Sequence, residues 1–77
     1  MKADVEFYSN GQLKRIEIRN ENRSFHRENG PAIISWYKTG IKHKNHEEYR
    51  VSGKLHREDG PAYISWYENG QKAFELY

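Results

Sequence analysis

His26-Arg27-Glu28-Asn29-Gly30-Pro31-Ala32-Ile33-Ile34-Ser35-Trp36-Tyr37-Lys38-Thr39-Gly40 returns thirty residues later as His56-Arg57-Glu58-Asp59-Gly60-Pro61-Ala62-Tyr63-Ile64-Ser65-Trp66-Tyr67-Glu68-Asn69-Gly70. Eleven of the fifteen positions are identical. Chance does not supply such a match, and self-similarity at a fixed period marks a repeat architecture. A degraded copy opens the chain: Ala3, Val5, Phe7-Tyr8 and Asn10-Gly11 match Ala32, Ile34, Trp36-Tyr37 and Thr39-Gly40. The 77 residues therefore read as one domain of three units, approximately 1–22, 23–52 and 53–77.

Each unit reads as a β-hairpin. Ala62, Ile64 and Trp66 alternate with Tyr63, Ser65 and Tyr67, and Ala32, Ile34 and Trp36 repeat the pattern, as a half-buried strand requires. Asn10-Gly11, Thr39-Gly40 and Asn69-Gly70 follow as turns, because Asn and Gly tolerate positive φ. Return strands are predicted over roughly Leu13–Arg19, Ile41–Val51 and Lys72–Tyr77. A two-residue loop at Asn10-Gly11 sets Val5 against Ile16, Ala3 against Ile18 and Glu6 against Arg15. A three-residue loop at Glu68-Asn69-Gly70 sets Ile64 against Phe74 and Ala62 against Leu76. The middle return strand is longer and polar, so a bulge or excursion is expected there. Asn29-Gly30-Pro31 and Asp59-Gly60-Pro61 are turn signals ahead of their hairpins. The expected fold is all-β: an antiparallel meander of about six strands built from three hairpin repeats, in a single-layer sheet.

Composition bounds the rest. Only 14 residues are Leu, Ile, Val or Phe, so the core is thin. Eleven aromatics and a net charge of +2 nonetheless mark a folded chain. With no cysteine, disulfide staples and thiolate zinc sites are excluded. No apolar run approaches a membrane span and no signal-peptide core follows Met1. The expected place is the cytoplasm. Thirteen Lys/Arg against eleven Asp/Glu is too balanced to argue a nucleic-acid partner by itself.

Phe7-Tyr8-Ser9-Asn10-Gly11-Gln12-Leu13-Lys14 and Trp66-Tyr67-Glu68-Asn69-Gly70-Gln71-Lys72 resemble the MORN-type repeat in its short bacterial variant. Tyr49 through His56 looks like the second half of that unit. The chain departs from the usual unit where His56-Arg57-Glu58-Asp59-Gly60-Pro61-Ala62 replaces a run into glycines. That longer form is similar to repeats of phage, giant-virus and some bacterial proteins. The resemblance implies a single-layer sheet serving as a binding platform, without catalytic machinery. Among short bacterial relatives it implies antitoxin-like roles.

Candidate chemistry is weighed against packing. A His beside a carboxylate suits general acid-base work, as in His26-Arg27-Glu28 and His56-Arg57-Glu58. Both copies hold one place in the repeat, however, so the expectation is structural: the histidine packs in the turn and Arg–Glu ties neighbouring units. Gly30, Pro31, Gly60 and Pro61, with Trp36 and Trp66 as core, share this repeat-structural role. His43 and His46 lack a ligand trio, so no metal and no cofactor are expected. Lys42-His43-Lys44-Asn45-His46 reads as a solvated strand face. Lys14, Arg15, Arg19, Arg23 and Arg27 crowd the first half and keep nucleic acid as an alternative partner. No nucleophile elbow or phosphate loop exists, so no enzyme is expected.

Partner binding is assigned to Tyr8, Tyr37, Tyr63, Tyr67, Lys42 and Lys44, since Tyr offers large area at low entropy cost. The expected function is recognition of a protein target, with a homodimer also in view because open edge strands favour self-association. From the resemblance and the small size, the expected setting is a phage or mobile-element inhibitor of a host defence or regulatory protein, anti-CRISPR-like. An antitoxin or immunity protein is the alternative.

Overall fold

The computed structural model describes residues 1–40 and 43–77. Lys42, one of the partner-binding candidates, lies outside the described residues, as does Ile41 at the predicted start of the middle return strand.

The chain is all-β. Six strands form one open antiparallel sheet: β1 (Lys2–Phe7), β2 (Leu13–Arg19), β3 (Ile33–Trp36), β4 (Lys44–Glu48), β7 (Tyr63–Trp66) and β8 (Lys72–Leu76), in the order β1-β2-β3-β4-β7-β8. Between β4 and β7 a second, two-stranded sheet pairs β5 (Arg50–Val51) with β6 (Lys54–Leu55). The result is a slab of 32 × 25 × 14 Å. No helix among the described residues is long and apolar enough to cross a membrane.

The first and third hairpins turn identically. Gly11 donates its N–H to the Tyr8 carbonyl and Tyr8 donates to Gln12, while the Asn10 side chain accepts from the Gln12 N–H. Tyr67, Gly70, Gln71 and Asn69 repeat every one of these bonds. Gly11 (φ 87°) and Gly70 (φ 91°) take the left-handed position that such a three-residue loop requires. A second irregularity follows each turn, between Glu6 and Phe7 and between Ser65 and Trp66. On the return strands it leaves Lys14 and Ala73 without a partner.

This extra residue decides both registers. In the first hairpin Val5 meets Ile16, Ala3 meets Ile18 and Glu6 meets Arg15, the expected register, but through a three-residue loop and a bulge rather than the expected two-residue loop. In the third the expected register is wrong by one. Ile64 faces Glu75 rather than Phe74, Tyr63 faces Leu76, and Ser65 faces Phe74. Because side chains alternate, a one-residue slip exchanges the faces. Phe74 and Leu76 therefore leave the face of Ile64 and stand with Tyr63. In the middle hairpin, Trp36 pairs with Lys44 and Ser35 with His46. That loop is two residues longer than its neighbours and carries the same bulge, at Asn45.

The predicted return strand Ile41–Val51 is not continuous. It leaves the main sheet at Tyr49, whose N–H donates to the Ala62 carbonyl, and resumes as the β5–β6 hairpin. Ser52 (φ 50°) and Gly53 (φ 83°) form its loop. Two consecutive positive-φ residues match the twist of a tight hairpin.

Directly paired residues share a face. One face carries the row Val5, Ile16, Ile34, Glu47, Ile64 and Glu75. The other carries Asp4, Glu17, Ile33, Glu48, Tyr63 and Leu76. The core lies at mid-sheet, in Ala32, Ile33, Trp36, Ala62 and Ile64. Trp66 is half-buried. Towards both edges burial fades, which is where the thin aliphatic supply shows.

Candidate functional site

Tyr8 and Tyr37 do not form an open ladder. The Tyr8 hydroxyl donates to the Trp36 carbonyl at 2.8 Å and the Tyr37 hydroxyl to the Trp66 carbonyl at 2.7 Å. Each tyrosine thus latches its own turn to the next hairpin. Tyr67, the third member, is 57% exposed. Lys44 reaches back to Glu47 at 2.7 Å. Glu47 is only 8% exposed in the row between Ile34 and Ile64, and a buried carboxylate needs such a partner.

Tyr63 holds a different place. It stacks on the His46 ring at 5.6 Å and meets the Phe74 ring edge-on at 5.9 Å. His46, Tyr63, Phe74 and Leu76 therefore form one continuous patch running to the β8 edge. Phe74 is 53% and Leu76 46% exposed. Sequence reasoning missed Phe74 and Leu76, because the assumed register placed them on the Ile64 face. A bulge residue at Ala73 carries no distinctive chemistry to reveal it.

His46 is not a solvated strand residue as expected. Its Nδ1 lies 2.5 Å from the Ser35 hydroxyl and its Nε2 lies 3.1 Å from Glu48. Since an ionised carboxylate only accepts, Nε2 carries a proton towards Glu48, and Nδ1 shares a hydrogen bond with the Ser35 hydroxyl. Glu48 in turn accepts from Arg50 Nε at 2.7 Å. This chain of Ser, His and Glu ties β3 to β4, and Arg50 extends it to β5. Ser35 is buried, so its hydroxyl is spent on His46 rather than offered to a substrate. Among the described residues no group of three His, Asp or Glu converges as metal ligands would.

The same face is laced by ion pairs towards β1. Arg15 and Arg19 both bind Glu17, and Arg19 also reaches Asp4 at 3.2 Å. The Arg19 guanidinium lies 4.3 Å from the Phe25 ring.

The repeated turns explain their own sequence. Arg57 donates to the Pro61 carbonyl at 3.2 Å and lies 4.0 Å from the Tyr49 ring, and Arg27 donates to Pro31 at 3.3 Å. A Cβ on Gly60 would come within 2.9 Å of the Arg57 guanidinium carbon, and one on Gly30 within 3.2 Å of that of Arg27. Glycine leaves room for the arginine to fold over its turn, and Pro31 and Pro61 present the carbonyl. The expected Arg–Glu tie between units does not form. Among the described residues Glu28 and Glu58 approach only His26 and His56, at 3.7 and 3.8 Å. What closes the middle unit is His26, whose Nδ1 accepts the Ser52 N–H at 2.9 Å. Backbone bonds from Arg27 to Arg50 and from Gly53 to Phe25 accompany it. Between the two turns runs an open groove lined by Arg27, Glu28, Tyr49, His56, Arg57 and Asp59. Its charges are of both signs.

Set against family models, curated proteins and solved structures, the chain matches none of them.

Proposed function

We propose that this chain is a non-catalytic protein-binding module that acts by covering a surface of its target. The observation that carries the reading is the patch of Tyr63, Phe74 and Leu76. Large apolar side chains stand together there, half out of the sheet, and Tyr67 at the β7–β8 turn is exposed as well. Aromatics in such a setting favour recognition. Tyr8 and Tyr37 contribute through the shape of the turns they hold, Lys44 through its hold on Glu47, and Lys42 through its charge. The setting we favour is a phage or mobile-element inhibitor of a host defence or regulatory protein, anti-CRISPR-like in role. It rests on the MORN-like residues and the small size alone. An antitoxin or immunity protein would use the same patch against a toxin, and the neighbouring genes separate the two.

A nucleic-acid partner is the weaker reading. Arg15, Arg19 and Arg50 are engaged by Glu17, Asp4 and Glu48, and phosphates would have to displace these carboxylates. The test uses the chain as bait. A protein retained at moderate salt and lost with Phe74→Ala or Tyr67→Ala supports the proposal. Steep loss with added salt, with both substitutions silent, overturns it in favour of nucleic acid.

A further inference from the structure

Successive hairpins join twice inside the chain, with one geometry. β2 meets β3 through Arg15–Ser35, Ile16–Ile34 and Glu17–Ile33. β4 meets β7 through His46–Ser65, Glu47–Ile64 and Glu48–Tyr63, the equivalent steps one unit on. Each ladder is prolonged by one more bond, Ile18 N–H to the Ala32 carbonyl and Tyr49 N–H to the Ala62 carbonyl. Each is closed over the turns by its tyrosine latch. Asn10 adds a bond from its side-chain amide to the Lys38 carbonyl at 3.2 Å.

The outer edges of the sheet hold the two halves of a third such joint. β8, with Tyr67, Asn69 and Tyr77, is the equivalent of β2 with Tyr8, Asn10 and Ile18. β1 is the equivalent of β3. We propose that copies of this chain associate head to tail, β8 of one pairing antiparallel with β1 of the next. The internal register fixes the contacts: Phe74 against the partner's Glu6, Glu75 against the partner's Val5, and Leu76 against the partner's Asp4. The Tyr67 hydroxyl donates to the carbonyl of the partner's Phe7. The Tyr77 N–H donates to that of the partner's Ala3.

Several features prepare these edges. Val5 is 48% and Phe7 62% exposed, whereas Ile64, which holds Val5's place in its own unit, is 7% exposed. Lys72 pairs with Glu75 at 3.1 Å, repeating Lys44 with Glu47. Val5 would cover that pair as Ile64 covers its counterpart. Leu76 against Asp4 repeats the apolar-to-acid pairing of Ile33 with Glu17 and Tyr63 with Glu48. Phe74 against Glu6 has no counterpart inside the chain. Neither edge strand contains the proline that would block pairing. The bulge at Ala73 is no obstacle, since β2 and β4 carry theirs and still pair outwards. This joint lacks the covalent connection that spans β2 to β3 and β4 to β7, so it is weaker than those inside the chain. Being heterologous, it propagates into chains unless it closes into a ring.

The joint shares Tyr67, Phe74 and Leu76 with the target patch, but Val5 and the β1 edge belong to the joint alone, so Val5→Glu separates the failure of this proposal from that of the proposed function. Sedimentation of the purified chain across a wide concentration range is expected to show mass growing from monomer through dimer to larger species. Val5→Glu sets a carboxylate against Glu75 of the neighbour and blocks the β1 edge. Leu76→Glu sets one against Asp4 and blocks the β8 edge. Each variant alone is expected to stay monomeric, and their equimolar mixture to form a dimer that grows no further. Circular dichroism first confirms that both are folded. Tyr67→Phe, a change on an exposed side chain, is expected to weaken wild-type association by roughly 2- to 10-fold, the range of one neutral hydrogen bond. A wild-type chain that stays monomeric throughout overturns the proposal. So does Val5→Glu still dimerising alone, which would mean β8 pairs with β8.

Discussion

The Tyr37 hydroxyl donates to the Trp66 main-chain carbonyl at 2.7 Å, tying the turn of one hairpin to the strand of the next. Tyr8 makes the same bond to Trp36. A neutral hydrogen bond between partly buried groups contributes about 1 kcal/mol net. Tyr8→Phe and Tyr37→Phe are each expected to lower stability by about that amount, or roughly 4–8 °C in melting temperature for a domain of this size. At low protein concentration Tyr67→Phe should fall within about 0.5 kcal/mol of wild type. Thermal melts of the three variants decide it. Equal losses at all three positions would show that the hydroxyl acts otherwise than through the latch, since Tyr67 makes none within the chain and every variant keeps its ring.

A second asymmetry separates the two histidines of the repeated motif. His26 accepts the Ser52 N–H and its side chain is largely covered, whereas that of His56 is mostly exposed. His26→Ala removes the acceptor of a turn amide and is expected to cost about 1–2 kcal/mol. His56→Ala should cost no more than about 0.5 kcal/mol. Urea titrations would expose a reversed order, which would place the role of these histidines outside stability.

Much of this architecture is legible in the sequence, and the failures have physical causes. The repeat and the Asn-Gly turns yield the hairpins, and Val5 does face Ile16. The third register fails because bulging leaves no sequence mark. Lys14, Asn45 and Ala73 share the role and no chemistry. Ser52-Gly53 was a readable turn signal, but it lay inside a stretch that alternates too weakly to suggest a break. The tyrosine latches were invisible because their acceptors are main-chain carbonyls, which every residue offers. Phe74 and Leu76 were misplaced by the same bulge, and with them the patch now proposed to bind a partner.

The glycines of the repeated turns test whether the Arg57 fold-over is specific. Gly60→Ala puts a methyl group where the guanidinium lies. The arginine must then leave the Pro61 carbonyl and the Tyr49 ring, at a cost of about 1–2 kcal/mol. In an Arg57→Ala background the same substitution should cost far less. The double-mutant cycle is expected to show coupling of about 1 kcal/mol or more. Additivity would mean the glycine serves only its own backbone.

The β5–β6 loop offers the opposite kind of test, a gain. Ser52 sits at φ 50° directly before Gly53 at φ 83°, a conformation that Asn adopts more readily than Ser. Its N–H is held by His26, and the substitution leaves that bond in place. Ser52→Asn is therefore expected to stabilise the chain by about 0.5 kcal/mol. Ser52→Val, β-branched at positive φ, should destabilise it by about 1–2 kcal/mol. Chemical denaturation with an unchanged m-value separates this local effect from a change in compactness. If Asn and Val shift the midpoint in the same direction, the left-handed turn does not limit stability here.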